Sequence, residues 1–224
     1  MIPTPDLSHL TSKDFDEVYE PAEDTFLLLD ALEEDVSNLK QLNPRICLEI
    51  GSGSGCVSSF LSTLLGPSSA VFLCTDINPH AARCTVATGR QNKTPLDSVN
   101  TWLHLPLCKR LAGAVDVLLF NPPYVPTAEH EASDAQRARD ISGAWAGGTD
   151  GMQVTDLLLP LVKGLLSRNG IFYLVALKQN NIPRIQTQIS GMYGLQSEIV
   201  IQRRAGREHL HILKIHHKDG IDTS

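Results

Sequence analysis

The chain has 224 residues, 42% hydrophobic and 20% charged, with a formal net charge of −6 at pH 7. This composition is ordinary for a globular domain, and the negative charge argues against direct binding of nucleic acid through phosphate neutralisation. No apolar stretch approaches the ~20 residues that span a membrane, and residues 1–12 lack the pattern of a signal peptide. We therefore expect a cytoplasmic or nuclear protein.

A glycine-rich turn follows the first strong strand pattern. The run Ile46 to Ile50 predicts a buried strand, and apolar residues at helical spacing follow between Val57 and Leu65. Between them lies Gly51-Ser52-Gly53-Ser54-Gly55, where glycine permits φ > 0 and close approach of a ligand. The dinucleotide fingerprint would need a third glycine at Cys56, so a nicotinamide oxidoreductase is disfavoured. A merely flexible turn is the alternative.

The next predicted strand ends in an acidic residue. Residues 70–75 form an apolar run that stops at Asp76, and Asn78-Pro79 then begins a helix from about His80 to Gln91. A carboxylate at that strand tip can accept hydrogen bonds from ribose hydroxyl groups. Asp76 could instead serve only to cap the helix.

A four-residue motif closes the apolar run Val115 to Phe120. Because two prolines cannot continue a sheet ladder, Asn121-Pro122-Pro123-Tyr124 ends the strand and places Asn121 at its carboxyl end. The Asn121 carboxamide oxygen and the Pro122 carbonyl could accept both N–H bonds of a planar –NH2 group, and Tyr124 could stack on it. An ordinary turn is the alternative.

The rest of the chain continues the alternation of helices and strands. We predict a helix at 152–166, a strand at 171–177, a helix at 183–190 and a hairpin formed by 195–202 and 209–215. The predicted fold is therefore α/β, with a mostly parallel sheet closed by an antiparallel hairpin. The polar stretch 127–142 is either a substrate lid or disordered.

Three groups of reactive or charged side chains receive structural interpretations. The five cysteines include no C-x-x-C pair and are expected to be reduced and mostly buried. His209 and His211 share a strand face, where a solvated surface is favoured over a metal site, and no metal is predicted. The arginines at 203, 204 and 207 are expected at a charged hairpin tip.

Two more segments bring a family into view. Val18 to Asp30 contains Tyr-Glu-Pro-Ala-Glu-Asp-Thr, and Ala144 to Gly151 reads Ala-Trp-Ala-Gly-Gly-Thr-Asp-Gly. Together with Glu49 to Gly55 and Asn121 to Tyr124, they closely resemble the glutamine methyltransferases of translation release factors, in the eukaryotic–archaeal branch of the HemK-like family. The resemblance extends from about Val18 to Ile215.

The resemblance implies a fold and an activity. The fold is the Rossmann-like, seven-stranded sheet of class I methyltransferases. The activity is N5-methylation of the glutamine in a release factor's Gly-Gly-Gln motif, with S-adenosylmethionine as methyl donor and S-adenosylhomocysteine as product. Methylation of another amino nitrogen, such as a histone lysine or a nucleic-acid adenine, is the same-chemistry alternative. A non-catalytic scaffold that keeps the fold is the alternative from another class.

The resemblance also implies roles for individual residues. Thr25 and Tyr19 would close over the methionine part of the cofactor, Glu49, Gly51 and Gly53 would hold its amino-acid end, and Asp76 would bind its ribose. The substrate site would consist of Asn121, Pro122, Pro123 and Tyr124, with Asn121 also in contact with the cofactor.

One position departs from the family pattern. Where the family has Asp-Leu in contact with adenine, this chain has Trp102-Leu103. Trp102 could stack on adenine or pack at the strand end, but it cannot accept the hydrogen bond that Asp would accept. That loss would cost about 1–3 kcal/mol of cofactor binding. A different local register is the alternative, but Leu96-Asp97, which holds the nearest Asp, lies too early in the chain.

A protein partner and domain limits complete the expectations. The family implies a heterodimer with a small zinc-binding activator, paired along an edge strand near 98–105. Because no charged residue lies between Val99 and Leu105, an uncovered edge there would favour aggregation. We expect an N-terminal extension over 1–17, a methyltransferase domain over 18–217 and a disordered tail over 218–224.

Overall fold

A seven-stranded sheet organises the part of the chain that the computed structural model describes, residues 2–127 and 147–218. Its order is β3-β2-β1-β4-β5-β7-β6, in which β1 to β5 are parallel and β7 runs antiparallel to both β5 and β6. The strands are β1 Ile46–Ile50, β2 Val71–Asp76, β3 Asp97–Asn100, β4 Val115–Phe120, β5 Leu166–Leu177, β6 Leu195–Ala205 and β7 Glu208–His217. The predicted fold class is confirmed.

Eight α-helices of the described ranges connect or cover these strands. They are α1 Ser12–Phe15, α2 Glu23–Glu34, α3 Val36–Leu42, α4 Cys56–Leu65, α5 Pro79–Gln91, α6 Cys108–Leu111, α7 Gln153–Leu165 and α8 Ile182–Gly191. Short 3-10 turns occupy Leu105–Leu107 and Lys178–Asn180. Three parts of the sequence lie outside the described residues: most of the polar stretch 127–142, residues 144–146 of the Ala-Trp-Ala-Gly-Gly-Thr-Asp-Gly segment, and residues 219–224 of the expected tail.

The core lies on both faces of the sheet. Along β4, Val117 and Leu119 belong to a cluster with α2 and α4, whereas Leu118 and Phe120 belong to a cluster with α7 and α8. Successive side chains of a strand point to opposite faces, so a strand covered by helices on both sides must be apolar at every position. This double burial explains why β4 is an unbroken apolar run that ends abruptly at Asn121.

Strand β5 begins earlier than predicted. The sequence Asn169-Gly170 led us to expect a turn before Ile171, but the strand begins at Leu166, which pairs with Val115 of β4. An irregularity between Val115 and Val117 accommodates the extra residues. The Ser167 hydroxyl donates to Asp116 Oδ1 at 2.6 Å, so local side-chain bonding supports the extension.

The edge strand β3 is in the predicted place, but the predicted bounds of 98–105 are wrong. The strand occupies Asp97–Asn100 and begins with an exposed acidic residue that the predicted range omitted. The Thr101 N–H donates to the Asp76 carbonyl at 2.9 Å, which turns the chain across the end of β2. Trp102 and Leu103 therefore lie in a turn after the strand.

The segment before α2 lies on the domain surface. The Ile2 N–H donates to Glu33 Oε1 at 2.8 Å, and the Asp6 N–H donates to Asn92 Oδ1 at 2.7 Å. His80 Nε2 is 3.0 Å from Asp14 Oδ1, which ties α1 to α5. The division of the chain at residue 17 stays a prediction.

The structural interpretations of the minor residue groups are mostly confirmed. The four cysteines at 47, 56, 74 and 84 are free and buried, and Cys108 is free and exposed. Arg203 near the hairpin tip pairs with Asp30 at 2.6 Å. The rings of His209 and His211 lie 4.6 Å apart, but His211 is buried, so the expected solvated face is wrong there.

Candidate active site

One cavity lies at the carboxyl ends of β1, β2 and β4. Strand β1 lies between β2 and β4, so the direction in which the strands succeed one another along the sheet reverses at this point. This is the position at which open α/β sheets bind ligands. Among the predicted site residues, only Pro122 is not in its wall. The others that line it are Tyr19, Thr25, Glu49, Gly51, Gly53, Asp76, Trp102, Leu103, Asn121, Pro123 and Tyr124.

The glycine turn between β1 and α4 forms the floor of the cavity. Gly51, Gly53 and Gly55 all have positive φ, at 68°, 52° and 80°. At Gly55 a Cβ atom would also come within 2.8 Å of the Thr85 Cα in α5. These three positions therefore require glycine for conformation, and Gly55 also requires it for space.

Hydroxyl groups fasten the turn to α5, and the sequence analysis missed them. Thr85 Oγ1 lies 2.8 Å from Ser52 Oγ and donates to the Gly53 carbonyl at 3.2 Å. Thr88 Oγ1 donates to the Ser54 carbonyl at 2.6 Å. Thr85 and Thr88 are three residues apart on one helix face, which is the signal that could have revealed them.

Glu49 is a buried carboxylic acid beside the amino end of α4. Its Oε2 accepts from the backbone N–H of Ser58 at 3.0 Å and from the Ser58 hydroxyl. Burial, assisted by the Asp76 charge and opposed by the two Ser58 hydrogen bonds, raises the pKa of Glu49 to about 8. The cavity wall therefore contains a carboxyl group that a nearby cation would readily ionise.

Asp76 lies at the end of β2, and backbone donors hold both of its carboxylate oxygens. Oδ2 accepts from the Gly53 N–H at 2.9 Å, and Oδ1 accepts from the Asn78 N–H at 2.8 Å. Burial raises the pKa of Asp76 in spite of these donors. The side chain thus joins the glycine turn to the start of α5 while it lines the cavity.

The turn after β3 forms another part of the wall. Trp102 is half-buried against the β4–α7 side of the core, and Leu103 is buried with φ at 50°. Bulky residues seldom adopt that left-handed conformation, so Asp76 and its neighbours must hold this turn in place. Asp97, the nearest acid in sequence, is exposed and is not among the described residues of the wall.

A buried carboxylate, Asp24, joins the residues on the other side of the cavity. Asn121 Nδ2 and the Tyr124 hydroxyl each donate to Asp24 Oδ2 at 2.8 Å. The Thr25 N–H donates to Oδ1 at 2.7 Å and the Tyr19 hydroxyl donates to it at 3.2 Å. The sequence analysis quoted Asp24 within its segment but assigned it no role.

This network leaves one amide atom of Asn121 without a partner. Oδ1 is buried, and no described residue donates a hydrogen bond to it. Leaving a buried acceptor unsatisfied costs about 1–3 kcal/mol, so such an atom in a ligand cavity indicates a missing donor from a ligand. An –NH2 group is a donor of the required kind.

The two tyrosines are donors rather than bases. Burial, followed by the Asp24 charge, raises the pKa of both Tyr19 and Tyr124. Glu208 in the β6–β7 hairpin also lines the cavity, and burial and Asp24 raise its pKa. The sequence analysis missed Glu208, because only the folded sheet brings that hairpin beside Tyr19.

Comparisons with known proteins give near full-length relatives. No family model matches the chain. It is 49% identical to Methyltransferase HEMK2 of Homo sapiens over 94% of this chain and 95% of that one. It is 43% identical to the eRF1 methyltransferase catalytic subunit mtq2 of Schizosaccharomyces pombe over 96% of each chain. A release factor glutamine methyltransferase of Rhodospirillum rubrum is 33% identical over 68% of this chain and 45% of its own.

Solved structures agree with these relatives. The E. cuniculi Mtq2-Trm112 complex, described as methylating the eRF1 translation termination factor, matches with a TM-score of 0.60 and 25% identity. That match covers 90% of this chain and 99% of the other. The N-terminal domain of human METTL16 in complex with SAH has a TM-score of 0.57 at 17% identity, over 91% and 74% of the two chains, and supports the fold alone.

Proposed function

This chain belongs to the family of HEMK2 and Mtq2 methyltransferases, and we propose that it N5-methylates the glutamine of the Gly-Gly-Gln motif in a translation termination factor. One observation carries the proposal. Asn121 has a buried carbonyl oxygen at the end of β4 that receives no hydrogen bond from any described residue, in the same cavity as the glycine turn. That oxygen suits the –NH2 group of a glutamine side chain.

We propose that the part of the cavity beside the glycine turn holds S-adenosylmethionine. The glycine turn admits a ligand close to the backbone, and Glu49 and Asp76 place two buried carboxyl groups beside it. We propose that Glu49, Gly51 and Gly53 hold the amino-acid end and Asp76 holds the ribose. We further propose that Thr25 and Tyr19 cover the methionine part and that Trp102 and Leu103 face the adenine.

S-adenosylmethionine, when bound, supplies an electrophilic methyl group on a sulfonium. The protein must therefore orient a weak nucleophile, because the lone pair of an amide nitrogen is shared with its carbonyl. Asn121 Oδ1 accepts one N–H of the substrate amide and thereby fixes the nitrogen. Positioning of this kind can contribute ~7–11 kcal/mol to catalysis.

Proton removal needs no dedicated base in this scheme. Methyl transfer leaves a positive charge on the amide nitrogen, and this cation is strongly acidic and loses one proton to water to give the neutral N-methyl amide. The raised pKa values of Tyr19 and Tyr124 keep both phenols protonated. The ring of Tyr124 lies in the cavity wall, where it can pack against the substrate carboxamide. The role proposed for the Pro122 carbonyl stays a prediction, since Pro122 does not line the cavity.

The partner is a small zinc-binding activator that forms a heterodimer with this chain. The E. cuniculi relative was solved as an Mtq2-Trm112 complex, and β3 is an edge strand of the sheet here. We propose that the activator adds its own strand to β3 and covers the neighbouring turn that contains Trp102 and the exposed Leu105. The cytosol or nucleus is the proposed location. No helix of the described ranges could span a membrane.

The test is methyl transfer from labelled S-adenosylmethionine to a purified termination factor, with and without a co-expressed activator. We expect label on the intact factor and none on a factor whose Gly-Gly-Gln glutamine is replaced. Cofactor binding with no label on the factor would move the assignment to another amino acceptor. Absence of cofactor binding would favour a scaffold.

A further inference from the structure

We propose that Asp24 is a positioning residue that selects the amide orientation of Asn121, so that Oδ1 rather than Nδ2 faces the methyl acceptor. The inference rests on the proposed function, because it assigns a purpose to the orientation of the acceptor-binding amide. It goes beyond that function because it assigns specificity for an N–H donor to a residue that acts through Asn121.

The first argument is the chemistry of the Asp24 partners. The groups that donate to its carboxylate are all neutral: the Asn121 amide, the Tyr124 and Tyr19 hydroxyls, and both the backbone N–H and the hydroxyl of Thr25. Asp24 is only 3% exposed. A buried carboxylate bonded by donors alone imposes a fixed polarity on its surroundings, since every contacting group must present hydrogen to it.

The second argument is the cost of the opposite orientation. Rotating the Asn121 amide by half a turn would place its oxygen where Nδ2 now lies, 2.8 Å from an Asp24 oxygen. Two acceptors at that distance repel each other. The rotated amide would also present N–H groups to the substrate –NH2, which offers no acceptor. The carboxylate therefore determines which amide end reaches the cavity.

The third argument is that the carboxylate is itself held firmly. Asp24 is the second residue of α2, where the exposed N–H groups and the helix dipole stabilise a negative charge. Tyr124 shares Oδ2 with Asn121, and Tyr19 and the Thr25 N–H hold Oδ1. Neither oxygen can turn away from Asn121 without loss of several hydrogen bonds.

The first experiment measures binding rather than turnover. The heterodimer saturated with S-adenosylhomocysteine is titrated by calorimetry with Gly-Gly-Gln peptides, and with peptides bearing the γ-methyl ester of glutamate at the same position. The ester is neutral and has no N–H. Wild type should prefer glutamine by about tenfold, the value of one hydrogen bond, whereas Asp24→Asn should bind the two peptides within about twofold.

The matched control is Asp30→Asn, which removes a carboxylate from the exposed side of the same helix. Asp30 pairs with Arg203 and does not line the cavity, so its variant should keep the preference for glutamine. If the Asp24→Asn variant does not bind S-adenosylhomocysteine, the Asp24→Ser variant is tested instead, because serine is smaller and water can fill the space that it leaves. Preserved preference in the Asp24 variant would overturn the proposal.

The second experiment exchanges the two side chains. Asn121→Asp alone places two carboxylates together and should lose at least about 100-fold in kcat. In the double variant Asp24→Asn/Asn121→Asp, the new amide can donate to one Asp oxygen while the other accepts from substrate. We expect kcat to recover at least about tenfold from Asn121→Asp. Additive losses would mean that Asp24 only supports the fold.

The two experiments separate the inference from the proposed function. If wild type binds neither peptide above background and transfers no methyl group to the termination factor, the proposed function fails. Suppose that wild type prefers glutamine, that Asp24→Asn keeps this preference and that the double variant shows additive losses. The proposed function then holds and the role of Asp24 is wrong.

Discussion

The cavity has two halves that are built in different ways. Most of the cofactor half comes from one continuous stretch between residues 46 and 79, which contains β1, the glycine turn, β2 and the start of α5. The acceptor half joins Asn121 to Asp24 across 97 positions and Tyr124 to Asp24 across 100. The first half can be recognised from local patterns, whereas the second exists only once the sheet has formed.

The halves also differ in what is left unsatisfied. In the cofactor half, burial raises the pKa of Glu49 and Asp76, so ionisation of these acids is suppressed until a cation or hydroxyl ligand compensates them. In the acceptor half, Asp24 is saturated by donors and the deficit is a single carbonyl oxygen on Asn121. A ligand should therefore favour ionisation of Glu49 in the cofactor half and supply a hydrogen bond to Asn121 Oδ1 in the acceptor half.

The largest expected effect is on catalysis, from Asn121→Ala. Removal of the orienting oxygen should lower kcat by at least about 100-fold, while affinity for S-adenosylhomocysteine stays near the wild-type value. Turnover with labelled cofactor and calorimetry measure the two quantities. The control is Asn169→Ala, at an exposed position in β5. Turnover above a tenth of wild type would contradict the role given to Asn121.

The next effect is on stability, from Glu49. The pKa of Glu49 is about 8 in the folded chain, compared with an ordinary value of 4.5, so folding favours the neutral form of the side chain. That stability is fully present below pH 4.5 and is lost as the pH rises toward 8. At pH 8, Glu49→Gln should be more stable than wild type by about 4 kcal/mol.

Denaturant melts of the unliganded protein at pH 5 and pH 8 check the Glu49 prediction. The gain from Glu49→Gln should largely vanish at pH 5. Glu20→Gln, at an exposed position, should show no such dependence. An equal difference between wild type and Glu49→Gln at both pH values would show that Glu49 does not titrate in this range.

The glycine turn gives a third test. Gly55→Ala combines a positive φ with a Cβ only 2.8 Å from the Thr85 Cα, so we expect a loss of about 2 kcal/mol of stability. Gly113→Ala is the matched control, because its φ is also positive at 65° but nothing lies within 4 Å of the new Cβ. Chemical denaturation should show the larger loss at Gly55, and equal losses would leave only backbone strain as the cause.

A smaller effect is expected from Asp76→Asn. The amide keeps one acceptor but loses the charge, so cofactor affinity should fall about tenfold, or about 1.4 kcal/mol. With cofactor at saturation, kcat should stay close to wild type. Isothermal titration with S-adenosylhomocysteine measures the affinity, and Asp97→Asn at the exposed start of β3 is the control. Unchanged affinity would remove Asp76 from the ribose site.

The smallest effect concerns Trp102. If its indole stacks on adenine, Trp102→Leu should weaken S-adenosylhomocysteine binding by about fivefold, the value of roughly 1 kcal/mol of aromatic contact. Stacking should also quench tryptophan fluorescence on titration, and this quenching should disappear in Trp102→Phe. If the fluorescence response persists in Trp102→Phe, the response comes from Trp145, the other tryptophan of the chain.

The contrast between the halves explains which features the sequence could predict. Strand alternation, the glycine turn, Asp76 and Asn121 were all found because each depends on residues near it in the chain. Asp24 was missed because its partners are distant, and Glu208 was missed because it reaches the cavity through a hairpin on the far side of the sheet. The predicted bounds of β3 were wrong because the hydrogen bond from the Thr101 N–H to the Asp76 carbonyl, rather than β-propensity, ends the strand at Asn100.

The position of β7 has a consequence for how the protein is made. Strand β7, the last strand of the described residues, does not lie at an edge but inserts between β5 and β6. Until residues 208–217 have left the ribosome, β5 pairs with β4 alone and β6 has nothing to pair with. The sheet is therefore completed only after β7 has been synthesised. A premature stop anywhere before residue 208 would leave an open sheet that chaperones and proteases can recognise.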